Sequence, residues 1–258
     1  MSCFSLTGYA LMDLRDAVDA HLLSSLQLSA FGDRRQLIQM GPLTVLRDAP
    51  GRKRPPRLQS IMICEVAPAE AMKTVLSYDP THWILCVFDG MDADHEAIKT
   101  TYKAFGYRLN IRFPVFVRDV KKEVPKEATG VKRVTEQSDA DAIGQIKGRK
   151  LLPPAAWLGD DPMVRIYAAY DGNKVIGWVQ SVRATEVSNW VSDLFVVPEF
   201  RGRGVGKSLL HSMLREDQAH GVKNSSLLSS SDGRTLYPKV GYVQIGLMQI
   251  FAPIKKRG

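Results

Sequence analysis

The chain has 258 residues, of which 45% are hydrophobic and 24% are charged. This composition is that of an ordinary soluble globular protein, and the length is comfortable for two domains. No window approaches the roughly 20 apolar residues of a membrane span, and the charged residues Asp13, Arg15 and Asp16 exclude the apolar core of a secretion signal. We therefore expect a cytoplasmic protein that does not enter a membrane.

The formal net charge of +8 favours anionic partners, and nucleic acid stays open as one of them. The three cysteines, Cys3, Cys64 and Cys86, fit neither the spacing of a metal site nor an even disulfide framework. Cys64 and Cys86 lie in apolar runs, which predicts buried thiols in a reducing compartment. No bound metal is expected.

In the first half, turn residues separate short apolar segments of helical or strand periodicity. Helices are predicted at residues 10–30, 68–78 and 94–105, and strands at 60–66, 83–88 and around 111–117. A short strand precedes an exposed basic loop at residues 51–56, which we interpret as solvated rather than as a phosphate contact. Residues 121–130 are charged and lack apolar periodicity, as is typical of a linker.

The second half begins with a predicted strand at residues 131–134 and a helix capped by Ser138 or Asp139. An irregular segment at 147–162 leads to a hairpin, because the strands at 165–170 and 174–182 are separated by an Asp-Gly-Asn turn. The remaining elements are predicted to be a central strand at 191–197, a helix ending at Gly221, a short strand at 227–228, a short helix at 232–240, and a strand at 243–251 that closes the sheet.

A glycine-rich basic turn directly follows the predicted central strand and leads into an amphipathic helix. Its sequence is Arg201-Gly202-Arg203-Gly204-Val205-Gly206-Lys207-Ser208. Glycine adopts backbone conformations that a Cβ forbids, so successive amides can point into one concavity at the start of the helix. Those amides and the helix dipole favour an anion, and three cationic side chains surround the same place. The turn is therefore predicted to bind phosphate.

The positions of the glycines distinguish between types of phosphate turn. A Walker A motif needs glycine where the chain has Arg201, and the dinucleotide fingerprint needs glycine where it has Lys207. The pattern present is Arg-x-x-Gly-x-Gly at 201, 204 and 206, after a strand that ends in Val-Val-Pro. It resembles the acetyl-CoA motif of the GNAT superfamily of N-acetyltransferases, over about residues 130–253. An ordinary surface turn is the alternative.

The resemblance implies an α/β (α+β) GNAT acyltransferase fold, with a mixed, mostly antiparallel sheet flanked by helices and one parallel strand pair at the cofactor. It also implies acetyl-CoA (CoA) as the cofactor, with the pyrophosphate on the amides of the turn and the pantetheine along the open edge of the preceding strand. The backbone amides at 195–197 are placed to polarise the thioester carbonyl. The implied cofactor-binding residues are Phe195, Val196, Val197, Arg201, Gly202, Arg203, Gly204, Val205, Gly206, Lys207, Ser208, Ser230, Gly233 and Tyr237.

The first half echoes the second, which predicts a tandem with a degenerate GNAT-like N-terminal domain. The segment from Tyr102 to Tyr107 repeats the Tyr-x-x-x-Gly-Tyr spacing that begins at Tyr237. In the first half, the counterpart of the phosphate turn has no glycine and contains Glu70, so it is not expected to bind CoA. The predicted domains are 1–120 and 131–258, joined by a linker at 121–130. Two unrelated domains are the alternative.

Acetyl transfer to an amine needs a neutral nucleophile, a polarised carbonyl and a proton for the departing thiolate. The resemblance places Tyr237 near the CoA sulfur as the general acid, and a phenol can pass its proton to a thiolate of similar basicity. The family's usual Asn and Ala upstream of this tyrosine are Ser230 and Gly233 here, which weakens the expected contact with the pantetheine. A tyrosine that only packs under the cofactor is the alternative.

Asp193 is the predicted base or amine anchor, because several small-molecule acetyltransferases of this superfamily have a carboxylate on the central strand. A buried carboxylate is costly unless it has a role. A structural ion pair with Arg183 is the alternative, and Glu186, in the turn before that strand, is the second candidate. Trp157 lies in the segment that covers the acceptor site in the superfamily, so it is predicted either to line that site or to anchor the segment on the core.

These residues favour an acetyl-CoA-dependent N-acetyltransferase that acts on a primary amine of a small molecule by direct attack on the thioester. The alternatives are acylation of an aminoacyl-tRNA or protein amine, and a non-catalytic acyl-CoA-binding regulatory module. The sequence identifies neither the acceptor nor the oligomeric state, and it leaves a homodimer open.

Overall fold

The computed structural model describes residues 11–31, 35–48, 59–77, 83–125 and 130–254. Within these ranges the chain forms five α-helices and eleven β-strands. The helices are α1 (Leu14–Ser29), α2 (Pro68–Ser77), α3 (His95–Ala104), α4 (Gln137–Lys147) and α5 (Val205–Ala219). The strands are β1 (Arg35–Met40), β2 (Leu43–Asp48), β3 (Gln59–Cys64), β4 (Trp83–Gly90), β5 (Tyr107–Asp119), β6 (Val131–Arg133), β7 (Val164–Asp171), β8 (Lys174–Arg183), β9 (Ser188–Val196), β10 (Asn224–Leu228) and β11 (Val243–Pro253). Cys3, the basic loop at 51–56 and four residues of the predicted linker lie outside the described residues.

The predicted helices are present, and local capping explains where two of them begin. The Asp13 carboxylate accepts the amide of Asp16 at 2.8 Å at the start of α1, and Asp94 accepts the amide of Ala97 at 2.9 Å at the start of α3. The predicted cap of α4 is wrong, because this helix begins after Glu136, which makes no capping hydrogen bond through its side chain. The predicted helix at 232–240 is also shorter, a 3₁₀ helix at Tyr237–Val240 with proline in its first turn.

All of these strands belong to one mixed, mostly antiparallel sheet, in the order β1-β2-β3-β4-β11-β5-β10-β9-β8-β7-β6. Only the β3–β4 and β9–β10 pairs are parallel among the described strands. The prediction that the last strand closes the sheet is wrong. Strand β11 lies inside the sheet, between β4 and β5, because both of its edges find antiparallel partners there.

The two halves of the chain are interlocked through their last strands. Strand β5, from the first half, lies between β10 and β11, and β11, from the second half, lies between β4 and β5. Each half therefore completes its part of the sheet with a strand of the other half. The domain boundaries at 120 and 131 stay a prediction, but the hydrogen-bonded sheet runs across them without a break.

The internal repeat is present in the structure. Gly106 and Gly241 both adopt left-handed conformations, with φ of 82° and 84°. Each follows a short helical segment, and each precedes a buried tyrosine, Tyr107 or Tyr242, at the start of an exchanged strand. Only glycine adopts this conformation without strain, which explains the shared Gly-Tyr pair.

Helix α1 packs over both halves. Leu14, Val18 and Leu22 belong to a buried cluster with residues of β3, β4, β5 and β11, whereas Ala20 packs with Trp190 of β9. The helix therefore stabilises the sheet on both sides of the exchanged strands. None of the helices in the described ranges is long and apolar enough to cross a membrane.

Candidate active site

The parallel strands β9 and β10 separate after a short paired stretch. Their register runs only from Ser188↔Asn224 to Ser226↔Trp190, and β9 continues to Val196 without a partner on that side. The opposite edge of β9 stays paired with β8 as far as Gly177↔Val196. The result is an open cleft between β9 and β10, which we call the strand cleft, and the backbone of residues 191–196 forms one of its walls.

The strand cleft has fewer free amides than the sequence predicts. The Val197 amide, expected to polarise a thioester carbonyl, donates to the carbonyl of Ile176 at 2.9 Å on the β8 side. Successive residues of an antiparallel strand direct their backbone groups to opposite edges, so the amide and carbonyl of Val196 face the strand cleft. The carbonyl of Val196 accepts the Nε of Arg201 at 3.0 Å. The role of Val196 thus stays a prediction, whereas the Val197 amide is already bonded to β8.

The glycine-rich turn at 201–204 connects the end of the strand cleft to α5. Gly202 and Gly204 adopt left-handed conformations, with φ of 76° and 83°, and no atom lies within 4 Å of the position that a Cβ would occupy on either residue. Gly204 is the N-cap of α5, and its carbonyl accepts the amide of Ser208 at 3.0 Å. The amides of the residues between them lack helical partners, as at any helix N-terminus, and the space beside both glycines is open. Free amides beside open space suit a pyrophosphate.

Cationic side chains surround the turn, but they differ in their contacts. Arg203 and Lys207 are exposed, and the Arg203 guanidinium lies 5.3 Å from the ring centroid of Phe200. Arg201 lies across the mouth of the strand cleft, 5.7 Å from the ring centroid of Phe195 and 3.8 Å from the Asp232 carboxylate. Val205 and Gly206 begin α5 and pack inward, because a Cβ on Gly206 would lie 3.1 Å from Leu236. The site therefore combines backbone amides with exposed positive charge.

Tyr237 lies at the start of the 3₁₀ helix, with only 7% of its surface exposed. Its ring packs 5.7 Å from those of Phe116 and Tyr242. Burial raises the pKa of the phenol to about 12, so the hydroxyl stays protonated at neutral pH. The hydroxyl makes no hydrogen bond with the residues that the structure describes, which leaves its proton available.

The two positions at which the chain departs from the family pattern now have different explanations. A Cβ on Gly233 would lie 2.8 Å from Cε2 of Tyr237, so glycine allows the tyrosine ring to pack closely there. Ser230 is exposed, and its carbonyl accepts the Ser229 hydroxyl at 2.8 Å. Gly233 therefore positions Tyr237, and Ser230 remains a candidate for contact with the cofactor.

Asp193 lies in a bulge of β9. Gln180 pairs with Ser192 and Trp178 with Phe195, so Val179 opposes two residues, and Asp193 has a φ of 54°. Simple alternation of side chains along a strand fails at such a bulge. A positive φ is uncommon for a residue with a side chain and often marks a functional position.

The carboxylate of Asp193 has two partners, and neither is the predicted Arg183. Its Oδ2 atom forms an ion pair with Lys147 of α4 and accepts the indole Nε1 of Trp178 at 2.9 Å. Arg183 instead pairs with Asp161. The Oδ1 atom of Asp193 makes no hydrogen bond with the described part of the chain, so it is available to a bound amine.

Asp193 opens onto a cavity of about 350 Å³, which we call the acceptor pocket. It is bordered by Lys147 and Asp193, by the segment at 149–153 that follows α4, and by Leu28 and Phe31 at the end of α1. The first half of the chain therefore forms one wall of a pocket next to the central strand. The sequence did not identify Lys147 as part of this pocket.

The other two predicted acceptor residues do not line this pocket. Trp157 is 1% exposed, and its Nε1 donates to the carbonyl of Leu152 at 3.0 Å, so it anchors the segment on the core, as the alternative prediction stated. Glu186 is exposed in the turn before β9 and does not border the acceptor pocket. Of the three predicted residues, only Asp193 contacts the cavity.

Comparisons with known proteins agree with this arrangement. Residues 162–244 match the family model of the acetyltransferase (GNAT) domain. An uncharacterised N-acetyltransferase, ycf52, of Pyropia yezoensis is 20% identical over 105 residues, which are 40% of this chain and 60% of that protein. The match thus spans less than two thirds of the relative.

Solved structures share the fold over nearly the full length. A GCN5-related N-acetyltransferase from Kribbella flavida superposes with a TM-score of 0.63 and 15% identity, over 92% of this chain and 96% of its own. Another, from Sphaerobacter thermophilus, has a TM-score of 0.57 and 14% identity, over 95% of each chain. Residues 162–244 therefore match a GNAT acetyltransferase domain, and the chain, its first half included, shares the fold of these N-acetyltransferases.

Proposed function

We propose that the protein is an acetyl-CoA-dependent N-acetyltransferase that acetylates a primary amine of a small molecule by direct attack on the thioester. The observation that carries the proposal is the position of β9 between two openings. The strand cleft, with the glycine-rich turn at its end, borders one part of this strand, and the acceptor pocket borders its bulge at Asp193. Such an arrangement brings a carrier and an acceptor to the same strand.

The residues that would hold acetyl-CoA are those of the strand cleft and of the turn. The free amides at the start of α5, with Arg203 and Lys207, suit the pyrophosphate, and the backbone of Val196 suits the amide groups of the pantetheine. The Arg201 side chain must release the Val196 carbonyl before this carbonyl can accept a hydrogen bond from the pantetheine. When bound, acetyl-CoA would supply an acetyl group that is activated as a thioester.

Tyr237 is the proposed general acid. Its hydroxyl is protonated at neutral pH and is not engaged by the described residues, so it can donate to a thiolate without breaking another hydrogen bond. Close packing against Gly233, Phe116 and Tyr242 holds the ring in one orientation. A fixed donor of this kind acts at the moment when the thiolate departs.

Asp193 is proposed to orient the amine rather than to act alone as the base. Lys147 and Trp178 hold its Oδ2 atom, which leaves Oδ1 as an acceptor that points to one place. The acceptor pocket is open to solvent, so water can take the proton that the amine loses before attack. Positioning of this kind reduces the entropic cost of the reaction.

The proposal is tested by release of the CoA thiol from acetyl-CoA in the presence of a panel of primary amines. Replacing Tyr237→Phe should reduce kcat about 100-fold or more, while calorimetry gives an unchanged Kd for acetyl-CoA. Tyr102→Phe, at the equivalent position of the first half, is the matched control and should leave kcat unchanged. Binding of acetyl-CoA without turnover of any amine would favour a regulatory module, and steep salt dependence of acceptor binding would favour a tRNA-linked amine.

A further inference from the structure

The acceptor pocket contains more positive charge than the amine of an acceptor explains. Its lining includes the cations Lys147, Arg149 and Lys150 but only one carboxylate, that of Asp193. Lys147 is already neutralised by its ion pair with Asp193. Arg149 and Lys150 are exposed and form no ion pair with any residue in the described ranges. Two cations without an ion-pair partner in the described ranges thus border the cavity.

This charge would disfavour a simple alkylamine. An ammonium group that approaches Asp193 is repelled by the two unpaired cations, and the wall of the pocket at Leu28 and Phe31 supplies no compensating negative charge. The same cations would attract a molecule that carries an anionic group together with its amine. The segment at 149–150 follows directly after the end of α4, so both cations are held close to Lys147 and Asp193.

A second observation identifies a hydrogen-bond donor in the lining of the pocket. Gln180 is 5% exposed and lies opposite Ser192 on β8, yet its side-chain amide has no hydrogen-bond partner among the described residues. A side-chain amide that lines a cavity without a protein partner can be completed by a ligand or by water. Its NH₂ group is suited to donate to an anionic oxygen.

We propose that the acceptor is an amino acid or a closely related small amino-carboxylate, whose amine binds Asp193 and whose carboxylate binds Arg149, Lys150 and Gln180. This inference rests on the proposed acetyltransferase function and adds the class of acceptor to it. The neutral amine forms a C–N bond to the acetyl carbon while the C–S bond breaks. The amine gives up one proton to water and the sulfur takes one proton, so the products are an N-acetyl amino acid and CoA.

The test compares amino acids with their carboxamides, which have nearly the same size but no negative charge. For the wild-type protein, kcat/KM of CoA release should be about tenfold or more higher with the carboxylate, as expected for a charge-assisted contact. The double variant Arg149→Gln/Lys150→Gln should lose this preference and keep its activity on the carboxamide. Lys174→Gln, an exposed cation at the far end of β8, is the control and should keep the preference.

A binding measurement gives a second readout. Calorimetry with an N-acetyl amino acid and with its carboxamide should show tighter binding of the carboxylate to the wild-type protein and equal binding to the double variant. Equal kcat/KM for both acceptors, or equal losses on both in the double variant, would overturn the proposal and leave the acetyltransferase function intact. Absence of thiol release with every amine, despite binding of acetyl-CoA, would overturn both.

Discussion

The two halves of this chain share a plan but differ at the parallel strand pair. In the first half, β3 and β4 are paired from Gln59↔Trp83 to Cys64↔Phe88, and the amide of Glu65 continues the ladder to the carbonyl of Phe88 at 3.1 Å. In the second half, pairing between β9 and β10 stops after Trp190. A closed ladder leaves no backbone groups for a ligand, so only the second half has a strand cleft.

The segments that follow β3 and β9 also differ from each other. Here too, only the segment of the second half is suited to bind a ligand. The first-half segment enters α2 through Ala67 and Pro68, and Glu70 adds a carboxylate to the first turn of the helix. Proline has no amide proton, and the carboxylate repels phosphate. The corresponding glycines of the second half leave an open, cationic concavity. That the first half does not bind CoA stays a prediction, now with a physical reason at each position.

The equivalent tyrosines complete the comparison. Tyr102 is 0% exposed and packs 4.7 Å from the ring of Phe251, with a buried hydroxyl that has no partner among the described residues. Tyr237 occupies the equivalent place but is 7% exposed. The first half has thus kept the packing of a GNAT and lost its open features. We infer that it persists because β5 and α1 are structural parts of the second half.

The largest expected effect follows from removal of the first half. A chain of residues 131–258 lacks β5, which pairs with both β10 and β11, and α1, which covers Trp190. We expect it to be insoluble or to unfold without cooperativity, as judged by circular dichroism during heating. Co-expression with residues 1–130 is the control and should restore a folded complex. A cooperative, acetyl-CoA-binding second half on its own would contradict the interlocked arrangement.

This interlocking also marks the limit of what the sequence predicts. Local signals were sufficient for most helices and strands, because apolar spacing, Asp13 and Asp94 act within a few residues. The exchange of β5 and β11 depends on edges that meet across more than 100 residues, since Val117 pairs with Val243. No local pattern encodes that choice. Strand β1 was missed for a simpler reason, as only one short strand was expected before the basic loop.

The same contrast between local signals and contacts of distant residues applies to the candidate site. The glycine-rich turn and Tyr237 stay predictions, and they depend on motifs of neighbouring residues that can be recognised without knowledge of the fold. Lys147 was missed because it meets Asp193 from another element, 46 residues away. Trp157 was ambiguous, since an aromatic residue in a loop can line a pocket or anchor a segment, and only its hydrogen bond to Leu152 decides between them.

The next largest expected effect concerns the contacts that hold α2 and α5 on the sheet. Helix α2 packs through apolar residues only, Ala71, Met72 and Val75, whereas α5 is tied to the sheet by Asp217, which is 0% exposed. Its carboxylate accepts Arg165 at 2.6 Å and Asn189 at 2.9 Å.

Replacing Asp217→Ala leaves the Arg165 charge buried and unpaired, so we expect a loss of about 3–5 kcal/mol in the free energy of unfolding. Urea denaturation measures it. Asp171→Ala, at an exposed hairpin, is the control and should change stability by about 0.5 kcal/mol or less. A loss of similar size in both variants would show that the buried pair does not fix α5.

A smaller effect should depend on pH and arises where the two halves meet. His21 of α1 lies 6.2 Å from the ring of Phe88 in the first half and 4.8 Å from that of Trp190 in the second. Burial lowers its pKa from 6.5 to about 4. The folded state therefore holds the neutral ring, and the unfolded state takes up a proton first as the pH falls.

The contribution of His21 to the free energy of unfolding is fully present above pH 6.5. It declines by about 2–3 kcal/mol as the pH falls from 6.5 to 4. Urea midpoints measured from pH 7.5 to 4.5 should fall for the wild-type protein. They should fall less steeply for His21→Phe, which cannot be protonated. His220→Phe, an exposed histidine, is the control, and its profile should match the wild type. Parallel profiles for the wild type and His21→Phe would contradict the assignment.

The smallest expected effect distinguishes the contribution of the turn's backbone to acetyl-CoA binding from that of its cationic side chains. Gly204→Ala places a Cβ on a residue with φ of 83°, which costs about 1–2 kcal/mol in a left-handed conformation and narrows the concavity at the start of α5. Gly172→Ala introduces the same strain, at φ of 58°, in the β7–β8 hairpin. Both variants should lose similar stability, but only Gly204→Ala should raise the Kd of acetyl-CoA, by about tenfold. Because the cationic side chains are unchanged in both, an unaltered Kd in Gly204→Ala would mean that charge alone binds the phosphates, and the open backbone would then not explain why the second half differs from the first.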